Sequence, residues 1–168
     1  MNQQEEAEFA KYFTERREAV RRTAYLLCGD WHRADDLAQL AFVALHRKWR
    51  KIRDKGALDS YVRRTLVRSV IDESRRPWRR ERFVDDVPEP SVETNFDTQV
   101  VTREALLTGL REVPPRQRAV LVLRYFEGLD VAATATALGC TEGTVKSQTA
   151  RGLATLRDAL DEEVNVHG

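Results

Sequence analysis

The sequence predicts an all-α protein in which two small helical domains are joined by an acidic, flexible linker. Apolar residues recur every three or four positions on both sides of the linker, which is typical of amphipathic helices. No segment shows the strict alternation of a half-buried strand. Between the two halves, PWRRERFVDDVPEPSVETNFD combines three prolines with many acids and predicts little regular structure. The expected limits are 5–80, 81–98 and 99–162.

Two helices are predicted at the start of the chain. The first runs from Glu5 to Leu27 and ends at Gly29, since glycine readily adopts the left-handed conformation of a helix C-terminus. Asp30 caps the second, from Trp31 to about Trp49. Its predicted apolar face consists of Leu37, Leu40, Ala41, Ala44 and Leu45. The outer surface, interpreted as a protein-docking face, carries Asp35, Asp36, Gln39, Val43 and Arg47.

A third helix is predicted to begin at Asp59 or Ser60 and to run towards Arg76, with Pro77 as its limit. One side of it is apolar, with Val62, Leu66, Val67 and Val70. The other side carries Tyr61, Arg64, Thr65, Arg68 and Arg75. Arginines can bind phosphates while an aromatic ring stacks on an unpaired base. This pattern, with Lys48, Arg50, Lys51, Arg53 and Lys55 before it, favours nucleic-acid binding over a solvated basic face, although Tyr61 alone fits a half-buried structural role slightly better.

Helices resume after the linker and end in a helix-turn-helix. Segments Val100 to Arg111 and Pro114 to Phe126 come first, the latter with proline near its first position. Asp130 then caps Val131 to Leu138, and Gly139 and Thr141 form the turn before the last helix. That helix is expected to bury Val145, Thr149, Gly152, Leu153, Leu156 and Leu160.

The opposite face of the last helix is polar and cationic, with Thr144, Ser147 and Arg151, and it is flanked by Gln148 and Lys146. Such side chains suit base edges and phosphates in a DNA major groove. A solvated polar face is the alternative interpretation. The spacing of the turn and the absence of acids between Gly143 and Arg157 favour the groove.

The charge of the chain is strongly uneven although its net value is only +1. Residues 1–80 contain 19 basic and 12 acidic residues, a net charge of +7. Residues 81–112 carry −5 and residues 113–168 carry −1. The stretch from His46 to Arg80 alone carries +9, a density that predicts contact with a polyanion.

Several classes of function are disfavoured by the sequence. The chain lacks an apolar stretch long enough to insert in a membrane, and its polar N-terminus lacks a signal-peptide core, so a cytoplasmic protein is expected. The cysteines (Cys28, Cys140) and the three histidines lack metal-ligand spacing, which predicts no metal and no cofactor. Asp35 and Asp36 are adjacent on a helix and point about 100° apart. No catalytic residues and no enzymatic activity are therefore predicted.

Three stretches resemble the alternative sigma factors of bacterial RNA polymerase, specifically the minimal extracytoplasmic-function (ECF, group 4) members of the sigma-70 family. AYLLCGDWHRADDLAQLAF is similar to the start of region 2, and LDSYVRRTLVRSVIDESRR to its promoter-melting part. LREVPPRQRAVLVLRYFEGLDVAATATALGCTEGTVKSQTARGLATLR, the most specific of the three, is similar to region 4. The resemblance spans about Phe9 to Leu160 and implies that 5–80 is region 2 and 99–162 is region 4.

The resemblance implies a non-catalytic subunit that directs core polymerase to promoters with −35 and −10 elements and helps to open them. Docking on the clamp helices of the largest subunit is implied for Asp35, Asp36, Gln39 and Val43. Recognition and melting of the −10 element is implied for Arg50, Arg53, Lys55, Asp59, Tyr61, Arg64, Arg68 and Arg75. Readout of the −35 element is implied for Thr144, Lys146, Ser147, Gln148 and Arg151.

Further contacts are implied for the remaining segments. The apolar face of Pro114 to Phe126 would help to seat region 4 on the flap of the second-largest subunit. The acidic linker, with Asp85, Asp86, Glu89, Glu93 and Asp97, would thread towards the active-centre cleft, or alternatively serve only as a solubilising tether. The chain departs from the family at Leu40, because relatives usually carry an acid directly after the docking glutamine.

The expected partners are core RNA polymerase and promoter DNA, with the protein itself a monomer. An anti-sigma factor is a common further partner in this group.

A stand-alone helix-turn-helix repressor is the main competing hypothesis, but it leaves the docking helix and the acidic linker without a role. Two weaker hypotheses are a metal-dependent nuclease and a pure protein-interaction adaptor. A repressor would bind duplex DNA without polymerase, a nuclease would need a metal, and an adaptor would show no sequence-selective DNA contact.

Overall fold

The computed structural model describes residues 1–52, 54–74 and 101–167, apart from the side chains of residue 55 and residues 163–167. Within these ranges every regular element is helical, which confirms the predicted fold class. The elements are α1 (Gln3–Cys28), α2 (Trp31–Lys48), a 3-10 helix (Lys55–Ala57), α3 (Leu58–Ser74), α4 (Arg103–Glu112), α5 (Pro115–Leu121), a π-helical turn (Val122–Phe126), α6 (Val131–Leu138) and α7 (Glu142–His167). The predicted linker, 81–98, lies outside the described residues, as do Arg53 and Arg75.

The chain divides into two units, Met1–Val70 and Ile71–Gly168. The helix boundaries inside them follow from local capping. Gly29 ends α1 with a φ of 76°, and the Asp30 carboxylate then accepts hydrogen bonds from the first amides of α2. Gly139 ends α6 with a φ of 67°, and the backbone N–H of residue 144 donates to Thr141 Oγ1 at 3.1 Å at the start of α7. The predicted turn of the helix-turn-helix is therefore confirmed.

The first unit packs α3 against the α1–α2 hairpin. The predicted apolar side of α3 is buried, at Val62, Leu66, Val67 and Val70. Two polar contacts set its position at the N-terminal end. The Tyr12 hydroxyl on α1 donates to the Asp59 carboxylate on α3 at 2.7 Å, and the Tyr61 hydroxyl lies 3.4 Å from the carbonyl oxygen of Ala44 on α2.

The predicted apolar face of α2 is wrong at one position. Leu40 is 58% exposed, while the buried residues of α2 are Ala34, Leu37, Ala38, Ala41, Phe42 and Leu45. At about 100° per residue, Leu40 lies about 100° from Ala41 and only about 40° from the exposed Asp36. Leu40 therefore belongs to the outer surface of the helix.

The second unit is built around α7, which packs on α4, α5 and α6. All six residues predicted for its buried face are buried: Val145, Thr149, Gly152, Leu153, Leu156 and Leu160. Gly152 permits close approach to α5, because a Cβ at this position would lie 3.1 Å from Leu121 Cγ.

The predicted helix from Pro114 to Phe126 is present, but its last five residues form the π-helical turn, in which the Glu127 amide donates a hydrogen bond to the Val122 carbonyl.

Candidate nucleic-acid and polymerase interfaces

The outer face of α7 carries the residues predicted to read duplex DNA. Lys146 and Ser147 are exposed, while Thr144, Gln148 and Arg151 are half-buried. All of them lie in the first three turns of α7, outside its fully buried side. The structure therefore presents an ammonium, a hydroxyl and an amide on one short helical surface next to a capped turn. The side-chain types match those that contact bases and phosphates in a major groove.

Two of these hydroxyls already have partners within the helix. Thr144 Oγ1 lies 2.9 Å from Thr141 Oγ1, and the Ser147 hydroxyl donates to the Thr144 carbonyl at 3.1 Å. Hydroxyls so placed still have lone pairs for a further contact. Thr144 thus stabilises the start of the helix and is half-buried, whereas Lys146 is an exposed cation.

The basic face of α3 is present in the described part of the predicted −10 site. Tyr61 is half-buried, with its hydroxyl directed at the α2 backbone. The Arg64 guanidinium carbon lies 5.9 Å from the centre of the Tyr61 ring, within range of a cation–π contact. Arg68 is exposed one turn further along. Tyr61 and Arg64 therefore form a joint surface that an unpaired base and its phosphate could contact.

Two other residues of the predicted −10 site have intramolecular partners. Arg50 Nε donates to Glu5 Oε2 at 2.9 Å, and this contact, as a hydrogen bond and ion pair, lowers the pKa of the Glu5 carboxyl below its usual value. Asp59 accepts from Tyr12 and from Arg16, the latter at 2.9 Å. The Arg50 side chain remains 62% exposed in this contact. The Lys55 side chain, Arg53 and Arg75 lie outside the described set.

The predicted docking residues on α2 form one exposed surface, but they differ in their partners. Asp35 accepts a hydrogen bond from Arg21 at 2.5 Å, and the Arg21 guanidinium also lies 4.3 Å above the Trp31 ring. Asp36 is exposed and makes no ion pair with any described residue, and Gln39 is exposed beside it. Asp36 is therefore the carboxylate more available to a partner.

An apolar groove of about 590 Å³ runs beside this surface, between α1 and α2. Its walls include Phe9, Phe13, Phe42 and Val43, and Asp35 and Gln39 stand at its rim. The Phe13 and Phe42 rings meet edge to face, with centroids 4.9 Å apart. Polar docking residues and an apolar groove are thus continuous, which is the composition expected of a protein-binding surface.

Two features of these surfaces were not predicted from the sequence. Leu40 is exposed on the outer side of α2. Its position on the helix, only about 40° from Asp36, could have predicted this exposure. Tyr125 and Phe126, which end the π-helical turn, are 56% and 44% exposed, and the Arg124 guanidinium carbon lies 5.5 Å from the Tyr125 ring centre. In the sequence, the two adjacent aromatic residues of RYFEG were the feature that could have predicted this exposed apolar surface at the end of the helix.

The described ranges contain neither a metal-binding cluster nor a membrane span. No group of three or more histidine, cysteine, aspartate or glutamate side chains there is arranged to bind a metal ion. None of the helices in these same ranges is both long enough and apolar enough to cross a membrane.

Comparison with protein families gives two matches along the chain. Residues 12–80 match the family Sigma-70 region 2, and residues 103–156 match Sigma-70, region 4. The two matches coincide with the basic first half and with the helix-turn-helix. The order of the matches is the order in which the sequence predicted the two regions.

Curated relatives cover nearly the whole chain. It is 37% identical to the RNA polymerase sigma-E factor of Streptomyces avermitilis over 158 residues, which are 92% of this chain and 86% of that protein. It is 33% identical to the ECF RNA polymerase sigma factor SigM of Mycobacterium tuberculosis, over 94% of this chain and 81% of that protein. Among solved structures, the sigma factor RpoE of Bartonella quintana, crystallised with the anti-sigma factor NepR, matches in fold with a TM-score of 0.69 at 21% identity, over 92% of this chain and 97% of that one.

Proposed function

Because the chain belongs to the sigma-70 family, as an RNA polymerase sigma factor of the ECF group, we propose that its two helical units divide promoter recognition between them. Its function is to direct RNA polymerase in transcription initiation. Residues 5–80 act as region 2, 81–98 as the linker and 99–162 as region 4. The stand-alone repressor is not supported, since the relatives are polymerase sigma factors over their whole matched length.

Region 4 recognises the −35 element through the outer face of α7. The observation that carries this proposal is the exposed Lys146, Ser147 and neighbouring Gln148 on a helix whose opposite side is fully packed. A helix whose position is fixed by its buried side holds its outer side chains in register with base edges. Thr144 and Arg151 flank this surface and complete the reading face.

Region 2 recognises and melts the −10 element through α3 and the loop before it. Tyr61 offers a ring face to an unpaired base, while Arg64 and Arg68 contact the adjacent phosphates. Arg50 adds a cation from the loop, with Arg53, Lys55 and Arg75 contributing the remaining positive charge. Asp59 acts by holding α3 on α1, through Tyr12 and Arg16, and so positions Tyr61 two residues further on.

Docking on core polymerase uses the exposed side of α2. Asp36, Gln39 and Val43 contact the clamp helices of the largest subunit, and Asp35 supports this face through its pair with Arg21. Tyr125 and Phe126 contribute an apolar contact from region 4 to the flap of the second-largest subunit.

The protein itself catalyses no reaction, works as a monomer in the cytoplasm where polymerase acts, and needs no cofactor.

An anti-sigma protein is a further partner in this proposal. The Bartonella quintana relative in fold was crystallised with such a factor. The apolar groove between α1 and α2 adjoins the polymerase-docking residues. A protein seated there would therefore exclude polymerase by occupying the same surface.

Replacing Arg151 by alanine tests the role of region 4. Binding of the polymerase holoenzyme to promoters with a −35 element should weaken by about 10- to 100-fold, because a good base contact contributes about 1–3 kcal/mol of discrimination. Affinity for core polymerase alone should not change. Arg103→Ala, an exposed arginine on α4, is the matched control and should alter neither. Equal loss of both affinities in the Arg151 variant would show that the residue supports the fold and not the DNA contact.

Transcription from a genomic promoter library tests the function as a whole. Core polymerase with this protein should start at specific sites that share motifs near −35 and −10, and core polymerase alone should not. A protein that shifts duplex DNA without polymerase and yields no new transcripts would contradict the proposal.

A further inference from the structure

The outer side of α2 carries a ridge of four exposed residues, termed the α2 ridge: Asp36, Leu40, Val43 and Arg47. They lie at intervals of three or four positions and so share one face of the helix. Leu40 is 58% exposed and Val43 is 42% exposed. Leu40 is the most exposed large apolar side chain among the described residues. The core of the unit forms without it.

A single exposed leucine is ordinary on a protein surface and by itself indicates nothing. Leu40 differs because of its neighbours. It lies one helical turn after Asp36 and directly beside Val43, which also lines the groove of about 590 Å³. Leu40 and Val43 therefore form an exposed apolar pair next to the groove, and Val43 belongs to both.

The ends of the α2 ridge indicate the shape of what covers it. Asp36 and Arg47 carry opposite charges, and neither forms an ion pair with a described residue. They are eleven residues apart, about 16 Å along the helix axis. A partner that pairs with both charges must place a cation opposite Asp36 and an acid opposite Arg47, with apolar side chains between them. A helix lying along α2 provides this pattern.

We propose that Leu40 is an apolar anchor for docking on core RNA polymerase, covered by the clamp helices of the largest subunit. The inference rests on the proposed function, because it assumes that α2 is the docking surface. The contact at Leu40 excludes water and does not depend on attracting a cation. Such a contact is hardly screened by salt, whereas a contact through Asp36 weakens as salt rises. Docking of this sigma factor therefore stays tighter at high salt than a purely ionic surface would allow.

The test uses the full-length protein, purified core polymerase and affinity measurements at low and at high salt. Leu40→Ala should weaken binding by about ten-fold at both salt concentrations, because removing most of a buried leucine contact has an effect of this order. Leu40→Met, which keeps an apolar side chain of similar volume, should bind within about two-fold of the natural protein. Asp36→Asn should weaken binding mainly at low salt. Val101→Ala, an exposed apolar residue of the other unit, should have no effect.

Unfolding measurements separate docking from folding. Because Leu40 is exposed in the free protein, Leu40→Ala should unfold at the same denaturant concentration as the natural protein. A ten-fold loss of affinity with unchanged stability supports the anchor.

Three results would overturn the inference and are distinguishable from one another. If Leu40→Ala binds polymerase normally while Asp36→Asn and Gln39→Ala are weak, docking on α2 stands and the anchor is wrong. If none of these variants changes the affinity, the assignment of α2 as the docking surface is itself wrong. A loss in Leu40→Ala that vanishes at high salt would also contradict an apolar contact.

Discussion

One half-buried phenol connects the fold of the first unit to its proposed function. Burial, together with the hydrogen bond to Asp59, raises the pKa of the Tyr12 hydroxyl well above its usual value. Tyr12 therefore stays protonated and can donate to Asp59 at neutral and moderately alkaline pH. The bond holds the start of α3, where Tyr61 and Arg64 begin the basic face.

Tyr12→Phe should lower the free energy of unfolding by about 1–2 kcal/mol, because the hydrogen bond to a carboxylate is lost and Asp59 keeps only its exposed contact with Arg16. Denaturant unfolding of the full-length protein measures this. Tyr125→Phe is the matched control, since Tyr125 is exposed, and it should change the value by less than about 0.5 kcal/mol. If the two variants were equally stable, the Tyr12 bond would contribute nothing to the fold.

The Glu5–Arg50 pair makes a loop contact dependent on pH. The pair favours the ionised carboxylate, so the pKa of Glu5 lies below the ordinary value of 4.5. The contact therefore stabilises the folded state above that ordinary value, and the stabilisation is lost as the pH falls through the lower, folded-state pKa. Protonation of Glu5 under acidic conditions therefore weakens its pairing with Arg50.

Replacing Arg50 by alanine should raise the pKa of the Glu5 carboxyl towards 4.5, as followed by NMR titration. Arg47→Ala should leave that pKa where it is, because Arg47 lies on the α2 ridge and the partner of Glu5 is Arg50. An unchanged pKa in the Arg50 variant would mean that the two side chains do not interact in solution.

At the scale of elements, two glycines of α7 differ in the space that surrounds them. A Cβ at Gly152 would lie 3.1 Å from Leu121 Cγ and 3.4 Å from Gln117 Cβ, which are side-chain atoms of the packed α5. At Gly143 the nearest such atom is Thr141 Oγ1, at 3.8 Å. The first glycine is therefore needed for helix packing, and the second is not.

Gly152→Ala should destabilise the protein by about 1–3 kcal/mol, since the buried Leu121 leaves little room and a shift of a few tenths of an ångström between α7 and α5 is needed to admit the methyl group. Because that shift carries Lys146 and Ser147 with it, −35-dependent promoter binding should weaken as well. Gly143→Ala should instead be neutral or stabilising by up to about 1 kcal/mol, because alanine favours the helix. Thermal unfolding and promoter binding of the two variants provide the comparison, and a stabilising Gly152→Ala would disprove the tight packing.

Across the whole molecule, charge is concentrated where the proposed single-stranded DNA contact lies. The first 80 residues carry +7 while the remaining residues are net acidic. Phosphate contacts made by this basic part release counterions, so promoter binding by the holoenzyme should weaken steeply with salt. The acidic second half does not compete for phosphates except through the few cations of α7.

Arg68→Ala should reduce the slope of log affinity against log salt by about 0.7, the value for one phosphate contact on a single strand. The measurement is holoenzyme binding to a promoter fragment that is already open at −10. Arg103→Ala removes the same charge from the other unit and should leave the slope unchanged. Equal reductions in both variants would indicate a general charge effect in place of a contact by Arg68.

Local sequence patterns were sufficient to predict the order of the helices and the capped ends of α1, α2, α6 and α7, whereas α4 begins at Arg103 and not at the predicted Val100. Asp30, Asp130 and Thr141 cap the amides within three residues of themselves, and Gly29 and Gly139 adopt the conformation that ends a helix. Caps are local interactions, so the neighbouring residues are enough to place them without knowledge of the fold. The buried side of α7 was predictable for the same reason, because it depends only on the helical period.

Which functional side chains already have intramolecular partners depends on how the helices pack. Asp59 meets Tyr12 across 47 positions, Arg50 meets Glu5 across 45, and Asp35 meets Arg21 across 14. These pairings depend on how α1 lies against its neighbours, which no local pattern encodes. The same packing left Leu40 outside the core, because the hairpin with α1 buries Leu37, Ala41 and Leu45 but leaves position 40 on the outer side of α2.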